Sequence, residues 1–234
     1  RKMSCLRSFY DYLCKRKLLP SNPVRLVDMP KIKEKAIIQL DPDEVANLLD
    51  YIENYGNQLS GVKLYHYNKQ KYRDIAIVTL LLGTGVRVSE LVGLNISDID
   101  FKNNGIRILR KGGNEMIVYF GEEVEKALHD YLEISRNAMT PLSGHEDALF
   151  LSGQRRRISV DAVEKMVKKY ASAISAKTIT PHKLRSTYGT ALYRETGDIY
   201  LIADVLGHAD VNTTKKHYAK LSDARRRAAS KAVI

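Results

Sequence analysis

From residue 96 to residue 120 the apolar residues of this chain give up helical spacing. Stretches 96–101, 105–110 and 115–120 are short and rich in Ile and other strand formers, and Asn103-Asn104-Gly105 and Gly112-Gly113-Asn114 separate them. Glycine and asparagine tolerate positive φ, so these tripeptides are turn formers. The pattern predicts three short strands in an antiparallel meander. Elsewhere apolar residues recur at helical spacing. The chain is thereby limited to a mainly α fold with one small three-stranded antiparallel β-sheet, an α+β arrangement.

The helical stretches are punctuated clearly. Residues 1–19 carry Leu6, Phe9, Tyr10 and Leu13 on one face, and Pro20, Pro23 and Pro30 then break the chain. A helix is expected after Asp41, with Pro42 in its first position, Glu44 in its first turn and Ala46, Leu48, Leu49 and Ile52 as its buried stripe. Residues 71–82 read as a helix buried on most sides, stopped at Gly83-Thr84-Gly85, and a short helix follows through 87–91. Further helices are expected over 122–132, 160–174, from Thr180-Pro181 toward Arg194, over 199–206 up to Gly207, and over 222–232. These breaks divide the chain into 1–30, a charged linker 31–40, a body 41–221 and a tail helix 222–234.

Composition narrows the partners. Lys plus Arg is 38 and Asp plus Glu is 27, for a net charge of +11 over 234 residues. With 44% hydrophobic and 28% charged residues the chain is neither disordered nor low in complexity. No apolar run is long enough to span a membrane, and residues 1–5 lack a signal-peptide core. Cys5 and Cys14 make no disulfide framework and read as reduced thiols of an intracellular protein. The positive charge points to a polyanion, nucleic acid first, with binding by counterion release. Basic runs lie at 155–157, 168–169, 215–216 and 225–227. Charge alone does not separate an enzyme from a passive binder.

Several chemistries are missing from the motifs. There is no Cys/His zinc spacing, no phosphate-loop GxxxxGK[ST] and no GxSxG elbow, and Gly83-x-Gly85 lacks the third glycine of a dinucleotide fingerprint. His66, in Tyr65-His66-Tyr67, is expected in a loop, and His129 and His145 are isolated. Arg87 follows a glycine turn, with Glu90 three residues on and so on the same helical face. His182 and Arg185 share a face near a helix N-terminus, where free N–H groups suit a phosphate. Leu206-Gly207-His208 precedes Thr213-Thr214-Lys215-Lys216-His217-Tyr218, in which Tyr218 is either a surface aromatic or a nucleophile. Lys111 sits at the tip of the hairpin, solvated or reaching a leaving oxygen as proton donor. Together these side chains form an inventory for phosphoryl transfer without a metal: guanidinium groups neutralise phosphate oxygens and an imidazole manages a proton.

In this order the segments GTGVRVSEL at 83–91, RKGGNE at 110–115, HKLRSTYGTAL at 182–192 and LGHADVNTTKKHY at 206–218 resemble the tyrosine recombinase (phage integrase) family, in the flavour of phage and conjugative-transposon integrases. The resemblance spans most of 41–234. It implies that Arg87 and Arg185 grip the scissile phosphate, Lys111 protonates the departing 5′ oxygen, His182 is general acid/base, His208 hydrogen-bonds the phosphate, Glu90 supports, and Tyr218 attacks to give a 3′-phosphotyrosine. Thr213-Thr214 and Ala219-Lys220-Leu221 frame Tyr218 and favour it over Tyr188, Tyr193 and Tyr200. Arg110, Lys183, Arg155, Arg156 and Lys215 are the expected DNA contacts.

The function so implied is site-specific recombination that integrates and excises a mobile element. It needs no cofactor or metal and works as a tetramer on double-stranded DNA in the cytoplasm, at the nucleoid, with accessory DNA-bending or excision factors. Residues 1–30 then read as the end of a helical DNA-clamping domain, and 222–234 as a tail docking on a neighbouring protomer. Two alternatives stay open: a type IB topoisomerase-like relaxing enzyme, and a DNA-binding module without catalysis.

Overall fold

A computed structural model describes residues 2–28, 38–110 and 113–207, with 211, 212, 214, 215 and 218 beyond them. The linker expected at 31–40 is therefore described only from 38, and the expected tail helix 222–234 lies outside the described residues. The chain divides into two compact units, residues 1–36 and 37–234.

The first unit holds α1 (Lys2–Lys15) and a 3₁₀ turn, Pro23–Leu26. Arg7 donates through Nη2 to the Val27 carbonyl at 2.8 Å, and Asp11 accepts from Asn22 at 2.9 Å and from Arg25 at 3.0 Å. Proline at the start of the turn and the Asn22 side chain capping Val24 N–H fold the chain back along α1.

In the second unit α2 (Pro42–Asn54) opens on a capping box, with Glu44 N–H on Asp41 at 2.9 Å and Asp41 N–H on Glu44 at 3.0 Å. The central helix is α3 (Gly61–Thr84), packed against α2, α5 (Glu122–Asp130) and α7 (Pro181–Thr196). Ala76, Ile77, Val78, Leu80 and Leu81 are all buried, so the C-terminal half of this helix is apolar on every side and lies inside, while its first half is polar and largely exposed. It begins ten residues before the expected start at 71, which places His66 on a helix rather than in a loop. Tyr67 accounts for the difference. Its phenol donates to the Ile52 and Glu53 carbonyls at 2.8 and 2.6 Å, and that tertiary tie holds a polar stretch helical.

After α4 (Val88–Gly93) come β1 (Ile99–Asp100), β2 (Gly105–Leu109) and β3 (Glu115–Tyr119), antiparallel in that order. Ile99 pairs with Ile106, and Ile106 with Val118. The three-stranded sheet in a helical body matches the expected fold class. The first strand is shorter than 96–101, because Ile96–Asp98 closes a 3₁₀ turn on the Asn95 cap. Ile106, Ile108 and Val118 face the core, while Arg107, Leu109, Ile117 and Tyr119 face out. A π-helical turn, Tyr131–Arg136, then α6 (Val160–Ile174), α7 and α8 (Ile199–Val205) complete the described helices. Among the described residues no helix is long and apolar enough to cross a membrane.

Candidate active site at the end of α8

The site grows from two glycine turns. Gly85 caps α3 with φ 63°, and its N–H returns to the Leu81 carbonyl. That bend puts Arg87 at the N-cap of α4, where its main-chain N–H donates to Glu90 Oε2 at 2.7 Å and its Nη1 to Glu90 Oε1 at 2.8 Å. Glu90 is only 9% exposed and is satisfied by both bonds. The Arg87 side chain stays 38% exposed, and its Nη2 donates to the Gly207 carbonyl at 2.8 Å.

Arg185 comes from α7, whose first turn opens on Thr180 and Pro181. It is 5% exposed. Its Nη1 donates to the Gly85 carbonyl and its Nη2 to the Leu206 carbonyl, so it ties the end of α3 to the end of α8. Burial, then repulsion from Arg87, lowers its pKa to about 10, with Glu90 pulling the other way. It remains a cation at neutral pH.

Arg110, at the end of β2, also turns inward. Its Nη2 donates to the Val205 carbonyl at 2.8 Å and its Nη1 to the Asp204 carbonyl at 3.2 Å. Four consecutive carbonyls, 204 to 207, thus accept from three arginines. These carbonyls lie at the C-terminal end of α8, where a helix runs short of intrahelical donors and its dipole is negative, although Asp204 also accepts from the Gly207 N–H. The cations gather there because the backbone supplies partial negative charge.

Tyr218 lies beside this cluster, packed with Tyr193, Ile202 and Leu206 and 1% exposed. Its ring stands 5.4 Å from that of Tyr193, and its hydroxyl rests against Gly189 of α7, where no side chain intervenes. Burial pushes the phenol up to about 12, and the Arg185 charge draws it back. Arg87, Glu90, Arg185 and Tyr218 are thus assembled around the Leu206–Gly207 turn. His182 is exposed on the first turn of α7, one turn ahead of Arg185. Lys111 and His208 lie outside the described residues.

The residues expected to hold DNA fall in different settings. Lys183 is half-buried on α7. Arg155, at φ 63°, and Arg156 are exposed in a tight turn closed by Arg155 N–H on the Ser152 carbonyl at 2.9 Å. Their neighbour Arg157 instead binds the Val92 and Leu94 carbonyls at 3.1 and 2.7 Å, a structural use that the basic run concealed. Lys215 is exposed, with its ammonium 5.5 Å from the Tyr200 ring centre. The inward aim of Arg110 had no local signal, because its acceptors are 94 and 95 residues away. Among the described residues no group of three or more His, Cys, Asp or Glu is placed to hold a metal.

A helical body with a three-stranded sheet, and a Gly-Thr-Gly-x-Arg turn facing a second arginine and a tyrosine, define a class. The chain belongs to the phage integrase family, whose pattern matches residues 39–225. It is 36% identical over 235 residues to tyrosine recombinase XerC of Caldanaerobacter subterraneus subsp. tengcongensis, covering 98% of this chain and 60% of that protein. The chain therefore spans about three-fifths of that relative's length. The XerA recombinase crystal structure superposes with a TM-score of 0.68 at 31% identity, over 86% of this chain and 67% of that one. The Tn1549 transposon integrase bound to circular intermediate DNA shares the fold, with a TM-score of 0.69 at 24% identity over 93% of this chain and 73% of that one.

Proposed function

We propose that this chain carries the catalytic part of a site-specific DNA recombinase, which cleaves and rejoins duplex DNA through a 3′-phosphotyrosine. The observation that carries this reading is that Arg87, Arg185 and Tyr218, from three separate parts of the sequence, meet at the Leu206–Gly207 turn. In the proposed step Tyr218 loses its proton and its oxygen attacks phosphorus. The bond from phosphorus to the 5′ oxygen breaks, and the 5′ hydroxyl leaves with a proton. Arg87 and Arg185 offset the charge that builds on the two non-bridging oxygens. Lys111 as donor to the 5′ oxygen, His182 as acid/base, His208 on the phosphate and Glu90 in support of Arg87 are assigned on the motif resemblance.

To bind a phosphate, Arg87 and Arg185 must offer its oxygens the guanidinium N–H groups that are not committed to Glu90 or to the main-chain carbonyls, and Tyr218 must leave its apolar seat. Arg155, Arg156, Lys183 and Lys215 belong to the proposed DNA face, with residues 1–30 as the end of a clamping domain, the 222–234 tail docking in trans, and a tetramer on DNA as the working assembly. The relatives of higher identity bear the names XerC and XerA recombinase. The reading therefore rests at site-specific recombination and leaves mobile-element integration as its narrower form.

The experiment is denaturation-resistant capture of a pool of nicked random-sequence duplexes by the wild-type protein, followed by sequencing. Adducts should form and should vanish in Tyr218→Phe, while DNA binding persists. Captured sequences that match the joined ends of a circularised element support the narrower form. Absence of any adduct leaves a DNA-binding module.

A further inference from the structure

Arg110 is among the residues expected to contact DNA, yet its side chain turns to the protein's own main chain. Both terminal nitrogens are bound to the main chain of α8, at Asp204 and Val205. Its Nε is buried without a hydrogen-bond partner. Burial lowers its pKa, with repulsion from Arg87 adding to the effect. The guanidinium lies on Gly207, where any Cβ would collide with it. Gly207 is also at φ 58°, and its N–H donates back to the Asp204 carbonyl at 2.8 Å, the same oxygen that Arg110 takes at 3.2 Å. The Gly207 carbonyl is the acceptor for Arg87 Nη2. Arg110 packs on one side of this residue and Arg87 holds its oxygen.

We propose that Arg110 is a positioning residue. It fastens the end of β2 to the C-terminal turn of α8 and, through Gly207, sets where the Arg87 guanidinium stands for phosphate. This deepens the recombinase reading above and rests on it. The planar fork matters more than the charge. A lysine presents one ammonium on a flexible stem and cannot take two successive carbonyls while lying flat on a glycine. A phosphate contact behaves oppositely: lysine substitutes tolerably, and loss shows in affinity and in salt dependence.

The test compares wild type, Arg110→Lys and Arg110→Gln on the duplex recovered by wild-type capture, well below each protein's melting midpoint. Both variants should bind with wild-type affinity and an unchanged slope of log affinity against log salt. Both should cleave about 10²-fold more slowly at saturating protein, the loss expected when a reacting group is misplaced by about an ångström. Wild-type cleavage in either variant overturns the proposal. So does an affinity loss in Arg110→Gln with a slope lower by about 0.9, restored by Arg110→Lys, which marks a phosphate contact. Amide hydrogen exchange supplies a readout free of chemistry. The N–H groups of Leu206 and Gly207 donate to Ile202 and Asp204 in the wild type and should exchange faster in both variants. If the wild type forms no adduct, the recombinase reading fails while exchange still decides the clamp, and unchanged exchange overturns it.

Discussion

Arg87 and Gly207, 120 residues apart in sequence, are joined by a 2.8 Å hydrogen bond from the guanidinium to the main-chain carbonyl. Arg185 makes the equivalent bond to the preceding residue, Leu206. Two cations from α4 and α7 therefore read adjacent carbonyls of one turn, and the spacing of those carbonyls sets the spacing of the cations. A helix end serves as the template that keeps this pair of cations in register.

The two arginines should separate in stability and agree in activity. Removing Arg185 strips donors from the Gly85 and Leu206 carbonyls in a buried place, so Arg185→Ala should lower unfolding free energy by about 2–4 kcal/mol. Arg87→Ala should cost less, because water reaches the half-exposed site and Glu90 keeps the Arg87 main-chain N–H at 2.7 Å. Each should slow cleavage by about 10²–10³-fold. Urea denaturation and single-turnover cleavage measure the two effects. Equal destabilisation by the two variants contradicts the difference in burial.

Gly189 controls the seat of Tyr218. A methyl group there would run into the Tyr218 hydroxyl and come within 2.9 Å of Leu206 Cδ1. Alanine in a helix interior is otherwise favoured over glycine by about 0.5–1 kcal/mol. The tyrosine ring is the part able to yield, so Gly189→Ala should keep α7 folded and turn Tyr218 outward. Nitration of Tyr218, followed by peptide mass spectrometry, should be faster than in the wild type. Equal nitration with a lower melting midpoint shows that the helix gave way instead.

A buried ion pair midway along α3, between Arg73 and Asp74, should dominate the stability of the body. Asp74 accepts from Arg73 at 2.6 and 3.0 Å and from the Tyr170 hydroxyl at 2.9 Å, while Arg73 reaches the Leu151 carbonyl at 3.0 Å. This links α3 to α6 and to the loop before the 155–157 turn. Asp74→Ala leaves a buried guanidinium without its anion and should cost about 3–5 kcal/mol. Tyr170→Phe removes one hydrogen bond and should cost about 0.5–1.5 kcal/mol. Chemical denaturation checks both, and the reverse order of costs refutes the network.

Glu44 should carry part of the acid sensitivity. Lys177 donates to it, Asp41 N–H donates at 3.0 Å and Ser175 at 2.9 Å, and together they hold its pKa at about 2, from an ordinary 4.5. A pKa depressed by folding stabilises the protein above 4.5, and that share disappears as pH falls toward 2. Glu44→Gln should be less stable near neutral pH and should converge on the wild type in acid. Parallel denaturation midpoints across that range argue against it.

Local chemistry made much of this molecule legible. Short Ile-rich stretches between glycine- and asparagine-containing turns marked β2 and β3, because strand preference and turn sterics act within a few residues. The start of α2 after Asp41, with Pro42 and Glu44 in its first turn, and the Arg87–Glu90 spacing were visible for the same reason. The reach of α3 back to Gly61 was not, since Tyr67 holds it through carbonyls 14 and 15 residues away. Arg157 was hidden in a basic run, and only its contacts with Val92 and Leu94 show it to be structural.

The sequence by itself determined the mixture of helices with one small sheet, the excess of positive charge, and which side chains are suited to phosphate chemistry. All of these follow from side-chain type and short-range spacing. Tertiary structure decided which arginines meet, that three of them share the carbonyls from 204 to 207, and that Tyr218 sits against Gly189 with its phenol held protonated. Those outcomes depend on long-range closure of the chain and on burial, and neither is encoded in the residues adjacent to the groups concerned.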